Sequence, residues 1–255
     1  MIQLENNRVE VIGNQTLIHG NCLEVLKNIP DKSIDMILCD LPYGTTNCSW
    51  DIIIPFEPLW GQYNRIIKDN GAIVLFGSEP FSSALRMSNI KNYKYDWYWR
   101  KEKGKGHLNA KKQPLKSVET ISVFYKKPPI YNPQFEIGEP YVKINCNKDI
   151  LNKGVYGKVK ESHNTISDGK RYPKTDLYFI SVQRTLHPTQ KPTELLEYLI
   201  KTYSKDGDAI LDNCAGSFST LVACQNTNRN GIGIEMDENY YNIGVERVKN
   251  NIKVD

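Results

Sequence analysis

The chain has 255 residues, 40% hydrophobic and 24% charged, enough for one sizeable core with a smaller appended lobe. No apolar run approaches the roughly 18 residues of a membrane span, and the opening MIQLENNRVEVIG lacks the basic start and apolar middle of a secretory leader. A cytoplasmic protein is therefore expected. Net charge is only +4, yet residues 91–127 hold 11 Lys/Arg against 3 Asp/Glu, a local +8. So dense a basic segment suits a phosphate backbone better than a small neutral metabolite, a solvated lysine-rich loop being the plain alternative.

Short β-branched runs alternate with amphipathic helical patterns, which predicts an α/β sheet protein. Residues 16–19 read as a strand ended by Gly20, and 22–29 (CLEVLKNI) as a helix stopped by Pro30-Asp31. Residues 34–39 (IDMILC) form a largely apolar strand running into Asp40. A helix over 58–68, a buried strand over 71–76 (GAIVLF) and a helix over 79–87 follow. Residues 94–99 (KYDWYW) and 120–125 (TISVFY) are aromatic strands separated by the basic, glycine-containing loop. From 128 to 183 Asn, Lys, Gly and Pro break every pattern, which fits a small irregular lobe or long functional loops. Regularity returns at Pro192, where Leu195, Leu196, Leu199 and Ile200 share one helical face. A strand over 209–211, a helix over 219–225, a strand over 231–235 and a last helix carrying Tyr241, Val245, Val248 and Ile252 complete the pattern. There is no internal repeat and no low-complexity tract.

The six cysteines (Cys22, Cys39, Cys48, Cys146, Cys214, Cys224) form no CxxC pair, and four histidines are available beside them. This argues against a structural zinc and for reduced thiols, with no metal site expected.

Two segments with acidic residues at strand ends carry the chemistry. In ILCDLPYG (37–44), Pro42 biases Leu41 away from the helical region and keeps the tetrapeptide extended. The Asp40 carboxylate and a neighbouring carbonyl are then held at the carboxyl edge of the sheet, where open α/β folds bind ligands. Asp40 and the Leu41 carbonyl suit the two hydrogens of an aromatic NH2 group, and Tyr43 suits stacking on its ring; a tight turn with no ligand is the alternative. In AILDNCAGSFSTLVAC (209–224) a strand ends at Asp212 and turns at Gly216 into a helix near Ser219. The next strand ends at Glu235, placed to take two ribose hydroxyls of a nucleoside cofactor. The dinucleotide pattern GxGxxG is absent, Phe218 standing where a second glycine would be, so a cofactor without a pyrophosphate is favoured.

Taken with HPTQKP (187–192), these segments resemble the DNA amino-methyltransferases in their permuted "beta" order, in which the catalytic motif precedes the cofactor motif. DLPYG resembles that family's Asp-Pro-Pro-Tyr motif, in the Asp form of the adenine-directed members. DNCAGSFST (212–220) resembles its Asp-Pro-Phe-x-Gly-x-Gly motif, and HGNCLEVL (19–26) the segment whose Asn21 would contact the cofactor's adenine. The likeness covers 16–127 and 184–255 and is similar to orphan enzymes of phages and prophages. It departs at Leu41 for proline, at Asn213 and Cys214 for Pro-Phe, and at Phe218 for glycine.

The resemblance implies a Rossmann-like α/β S-adenosylmethionine-dependent methyltransferase fold: a mostly parallel seven-stranded sheet, helices on both faces, and a small recognition lobe. Residues 1–127 would be the catalytic half, 128–183 the target-recognition region and 184–255 the cofactor half. Asp40, Leu41, Pro42 and Tyr43 would be catalytic. Asn21, Asp40, Lys191, Pro192, Asp212, Asn213, Cys214, Ala215, Gly216, Ser217, Ser219, Thr220, Glu235 and Met236 would bind S-adenosylmethionine. Lys101, Lys103, Lys105, His107, Lys111 and Lys112 are candidate phosphate contacts to double-stranded DNA. Trp50 and Asp51 are candidates for the base entrance, whereas Trp60 reads as core and His187 is not expected to shuttle protons. The implied reaction is N6 methylation of a flipped adenine in a bacterial cytoplasm, with a second subunit and a cognate restriction endonuclease as conceivable partners. N4 methylation of cytosine is the near alternative. A nicotinamide-dependent oxidoreductase and a noncatalytic nucleic-acid-binding module are the distant ones: the first lacks GxGxxG, and the second leaves Asp40 and Glu235 without a task.

Overall fold

The computed structural model describes residues 7–46, 48, 51–144, 165–183 and 185–251. In chain order its elements are β1 (Arg8–Ile12), β2 (Gln15–His19), α1 (Cys22–Leu26), β3 (Ile34–Cys39), α2 (Phe56–Ile66), β4 (Ile67–Gly77), α3 (Phe81–Ser88), β5 (Tyr93–Lys105) and β6 (Lys116–Phe124). There follow β7 (Glu136–Ile137), β8 (Tyr141–Lys143), β9 (Thr165–Ser167), β10 (Lys170–Arg171), β11 (Asp176–Tyr178), α4 (Thr193–Tyr203), β12 (Ala209–Asp212), α5 (Ser219–Asn226), β13 (Asn230–Glu235) and α6 (Glu238–Asn250).

Period-two alternation in the central strands sorts the core into two layers. Ile37 and Cys39 of β3 and Ile73 and Leu75 of β4 point toward a face covered by Val25, Leu26, Leu59, Tyr63, Ile66, Phe81 and Leu85 of α1–α3. Met36 and Leu38, with Ala72, Val74 and Phe76, point the other way, onto Leu195, Leu196, Leu199 and Ile200 of α4 and Ala223 and Cys224 of α5. Leu17 of β2 packs with Phe218, Leu221, Tyr241, Val245 and Val248 around α5 and α6. Ile252, expected on the same helix, lies outside the described residues.

The sheet order is β1-β2-β13-β12-β3-β4-β6-β5-β11. β2, β13, β12, β3 and β4 are parallel. β6 is antiparallel to both β4 and β5, so β5 regains the common direction. Those seven strands form the expected mostly parallel sheet with helices on both faces. The edge strands β1 and β11 are additions that the sequence reading did not contain. β1 turns into β2 through Gly13-Asn14, with Ile12 opposite Gln15 and Gly13 at φ +56, a two-residue hairpin of the kind that needs positive φ.

Several boundaries differ from expectation for local reasons. α1 ends at Leu26 because its continuation tightens into i→i−3 bonds, Asn28 N to Val25 O and Ile29 N to Leu26 O, ahead of Pro30, which disfavours helix at residue 29. α2 stops at Ile66 because Ile67 is taken into the ladder opposite Ile34. Its early start accommodates Pro58 in the first turn, where no backbone donor is needed. The basic loop is largely strand: β5 and β6 continue as a long hairpin to Lys105 and from Lys116.

The chain divides into two compact units, one of residues 1–132 and 175–255 and the other Pro133–Lys174. In the smaller unit, β7 pairs with β10 and β8 with β9, both antiparallel. Among the described residues no helix is long and apolar enough to cross a membrane.

Candidate active site

Four parallel strands, β2, β13, β12 and β3, end side by side. Their carboxyl ends deliver Asn21, Glu235, Asp212-Asn213 and Asp40 in that order along one edge of the sheet. From β12 the chain passes through α5 to its neighbour β13 on one side, and from β3 through α2 to β4 on the other. The strand order thus diverges between β12 and β3, which opens a crevice at that edge. A cavity of about 360 Å³ lies there, lined by every expected catalytic and cofactor residue except Pro192. That volume is of the size that holds a nucleoside-sized ligand. Pro192 is instead buried as the N-cap residue of α4.

On the β3 side, both oxygens of Asp40 are engaged. Tyr43 Oη donates to Oδ1 at 2.5 Å, and Lys191 Nζ donates to Oδ2. Lys191 also lies 3.7 Å from Glu119 of β6, whose other oxygen pairs with Lys101 of β5. The result is an enclosed row of alternating charges, Asp40, Lys191, Glu119 and Lys101. Burial pushes the Asp40 carboxyl above the usual range, more than Lys191 draws it down. Burial opposes the charge of Lys191 as well, but Asp40 and Glu119 hold its ammonium above the ordinary value. Burial likewise works against Glu119, yet Lys191 and Lys101 keep it ionised below the usual range. Tyr43 is fixed from behind by Phe81, ring to ring at 5.0 Å and 29°. Asp51 accepts from the backbone N–H groups of Gly44, Thr45 and Thr46 at 2.8, 2.9 and 2.7 Å. It shapes the loop beyond Tyr43 and lines the cavity. Trp50 lies outside the described residues, and Trp60 is core, 6% exposed.

On the β12–β13 side, Asp212 accepts from Cys214 N at 3.1 Å and from Thr220 Oγ1 at 2.6 Å, and burial pushes its carboxyl up to about 6. Glu235 accepts from Gly216 N at 2.7 Å and Asp237 N at 2.8 Å, and burial raises it to about 7. Gly216 sits at φ +52 with the His187 ring 3.3 Å from where a Cβ would stand, so only glycine leaves both the turn and the ring in place. His187 is pushed down to about 4 by burial and by Lys191, a neutral ring at pH 7. Asn21 caps α1 through Leu23 N at 2.9 Å.

The departures from the family motifs have physical explanations here. Phe218 adopts φ +55, the left-handed conformation its replaced glycine would favour. Its ring turns away from the cavity into a slot left by two other glycines: a Cβ at Gly233 would come within 2.6 Å of it, and one at Gly244 within 2.0 Å. Asn213 is held by Tyr63 Oη at 2.5 Å. Cys214 lies with Cys22 against the core containing Cys39, and all the described cysteines are free thiols.

Lys101 corrects the sequence reading. It continues the inward face of Trp97 and Trp99 on β5 and is 7% exposed; paired to Glu119, it is not available to a phosphate. Lys103, Lys105, His107, Lys111 and Lys112 are exposed on the hairpin, outside the cavity. Sequence reasoning missed Glu119, Tyr63 and Arg247. Arg247 of α6 donates to Ser217 O and Oγ, both at 3.1 Å, and to Ser219 Oγ at 2.7 Å, clamping the turn between β12 and α5. All three sit on elements remote in sequence from the motifs, and only the inward parity of Glu119 opposite Trp99 offered a signal.

Comparison with known proteins agrees with this geometry. The DNA methylase family model matches residues 34–246, most of the chain, and the chain belongs to that family of permuted amino-methyltransferases. It is 27% identical over 251 residues to the DNA adenine methyltransferase YhdJ of Escherichia coli K12, covering 92% of this chain and 84% of the relative. Its fold is similar to that of M1.HpyAVI in complex with SAM (TM-score 0.62, 23% identity, 91% of this chain and 99% of that one). The fold is also similar to that of the cytosine-N4-specific PvuII DNA methyltransferase (TM-score 0.65, 15% identity, 94% of this chain and 92% of that one).

Proposed function

We propose that this DNA methyltransferase uses S-adenosylmethionine to methylate the N6 amine of an adenine turned out of duplex DNA. The observation that carries the reading is the cavity itself, lined by Asp40 and Tyr43 just beyond β3, by Asp212 and Glu235 at the ends of β12 and β13, and by Gly216 in the turn after β12. The residues fit the cofactor. Glu235 offers a carboxylate to a ribose, Gly216 allows close backbone approach, and Phe218 keeps its ring out of the space. When bound, S-adenosylmethionine supplies an electrophilic sulfonium methyl group.

The chain's own part is placement and charge. Asp40 and the Leu41 carbonyl accept the two amine hydrogens and aim the nitrogen's lone pair into the cavity. As positive charge develops on that nitrogen, Asp40 stabilises it and accepts the proton, a task suited to a carboxyl raised by burial. Tyr43, backed by Phe81, gives the base an aromatic wall. The exposed Lys103, Lys105, Lys111 and Lys112 are suited to phosphates, and the Pro133–Lys174 unit, with Ile137, Val142, Ile166 and Tyr172 exposed, to reading the target. The adenine assignment is supported by the Asp form of the 40–44 motif and by the name of the YhdJ relative.

The test is a mass-spectrometric nucleoside count after incubating protein, labelled S-adenosylmethionine and unmethylated mixed-sequence DNA, with Asp40→Ala in parallel. Labelled N6-methyladenine that vanishes in the variant is expected. Labelled N4-methylcytosine would move the target to cytosine, and failure to bind the cofactor would end the reading.

A further inference from the structure

Both oxygens of Asp40 are occupied by strong donors, Tyr43 and Lys191, although a base amine needs at least one of them. The two donors differ in what they can do next. Tyr43 is pinned by its ring contact with Phe81. Lys191 has a flexible stem and a second acceptor at hand: Glu119 Oε2, 3.7 Å from its ammonium. That oxygen is fully buried and has no hydrogen-bond partner among the described residues, a costly state for a carboxylate oxygen unless something is to fill it. Its sister oxygen is held by Lys101, which fixes the carboxylate and keeps it ionised.

We propose that Glu119 is a second berth for the Lys191 ammonium: Lys191 rests on Asp40 in the free enzyme and shifts to Glu119 Oε2 when the substrate amine takes Asp40. The proposal rests on the reading of Asp40 as the amine acceptor. Glu119 is thus a positioning residue, acting through Lys191 and never touching the base. The shift keeps Lys191 charged and buried throughout, because one carboxylate replaces the other without exposure to water. It also makes Asp40 a free acceptor only when an amine is present to claim it, so a base lacking the amine has no donor to exchange for Lys191.

Two variants of the full chain separate this role from a structural one. In Glu119→Gln the berth loses its charge. In the Lys101→Met/Glu119→Gln double variant it is also lost, but charge balance in the buried row is restored. With S-adenosylmethionine and unmethylated mixed-sequence DNA, kcat is expected to fall at least about tenfold in both, with KM for the cofactor within about threefold. A double variant that regains the wild-type kcat would show Glu119 to be only a counter-ion for Lys101 and would overturn the proposal. A crystal structure of Asp40→Ala gives a readout free of variants at Glu119. Lys191 Nζ is expected within about 3 Å of Glu119 Oε2, and Oε2 still without a partner would overturn the proposal equally. Methyl transfer absent from the wild type would sink the parent reading, and the berth with it, even if that structure showed the shift.

Discussion

Phe218 occupies a position where its backbone asks for glycine, and the structure says how large the consequences of restoring one are. Phe218→Gly removes a fully buried ring, costing about 3–5 kcal/mol, and relieves a left-handed backbone at φ +55, returning about 1–2 kcal/mol. The variant should be less stable by about 1–4 kcal/mol in net terms. Gly244, on α6, shares the slot, and a Cβ there would stand 2.0 Å from the ring. Gly244→Ala in the wild type is thus expected to cost about 1–3 kcal/mol of overpacking, offset in part by about 1 kcal/mol of helix propensity. In the Phe218→Gly background the clash is gone, and the same substitution should stabilise by about 1 kcal/mol. Urea denaturation of the four proteins measures the cycle. Because the ring lies outside the cavity, calorimetric titration with S-adenosylhomocysteine should give affinities within about threefold of one another wherever the protein is folded. Effects that add within about 0.5 kcal/mol, or a folded Phe218→Gly protein that no longer binds the ligand, would refute the assignment of the ring to the core.

Glu235 is raised to about 7 by burial, so its protonated form stabilises the fold fully below about 4.5 and that contribution is lost as pH rises through about 7. Glu235→Gln should therefore gain stability over wild type progressively across that window, while the proposed ribose contact predicts that S-adenosylmethionine affinity rises with pH in wild type and stays flat in the variant; melting and titration at pH 5 to 8 check both. Arg247→Ala frees the turn at 217–219 and leaves its hydroxyl and carbonyl partners unpaired. Charge-assisted bonds of this kind contribute about 1.5–3 kcal/mol, and cofactor affinity measured by calorimetry should weaken about tenfold or more, with Arg247→Lys between. Replacing Lys105, Lys111 and Lys112 together by Gln should lower the slope of log affinity for DNA against log salt by about 0.9 for each phosphate that is no longer neutralised. Lys101→Met, at a buried and paired position, should leave that slope unchanged.

The central strands, most helices and the cavity edge were legible because each leaves a local trace. The 34–39 run is apolar on both faces, as a strand covered by helices must be, and Asp40, Asp212 and Glu235 each stand at or just beyond a strand end. β1 was missed although Gly13-Asn14 carries a hairpin signal and Val9 and Val11 alternate with Arg8 and Glu10: on this edge strand both valines are exposed, and only Ile12 is buried. Lys101 was misread because its charge was counted without the strand parity that turns it inward beside Trp99. Glu119 and Arg247 gain their roles only through neighbours elsewhere, Lys101 on β5 and Lys191 ahead of α4 for one and the β12–α5 turn for the other. No window along the chain contains such information.

The strand order has a consequence for how the molecule is made. β12 and β13 come late in the sequence but lie between β2 and β3, which come early. Until residues 209–235 leave the ribosome, β2 and β3 face each other across a gap two strands wide, each with an unpaired inner edge. Such edges recruit any extended segment nearby, so the nascent chain depends on residues 209–235 to close the slot before another chain does. The seam it closes is short on one side, two paired positions between β12 and β3, and longer on the other, five between β13 and β2. Insertion of that pair completes the sheet and brings Asp212 and Glu235 opposite Asp40 in the same event. A product that stops before residue 209 therefore has neither a continuous sheet nor the Asp212 and Glu235 side of the cavity.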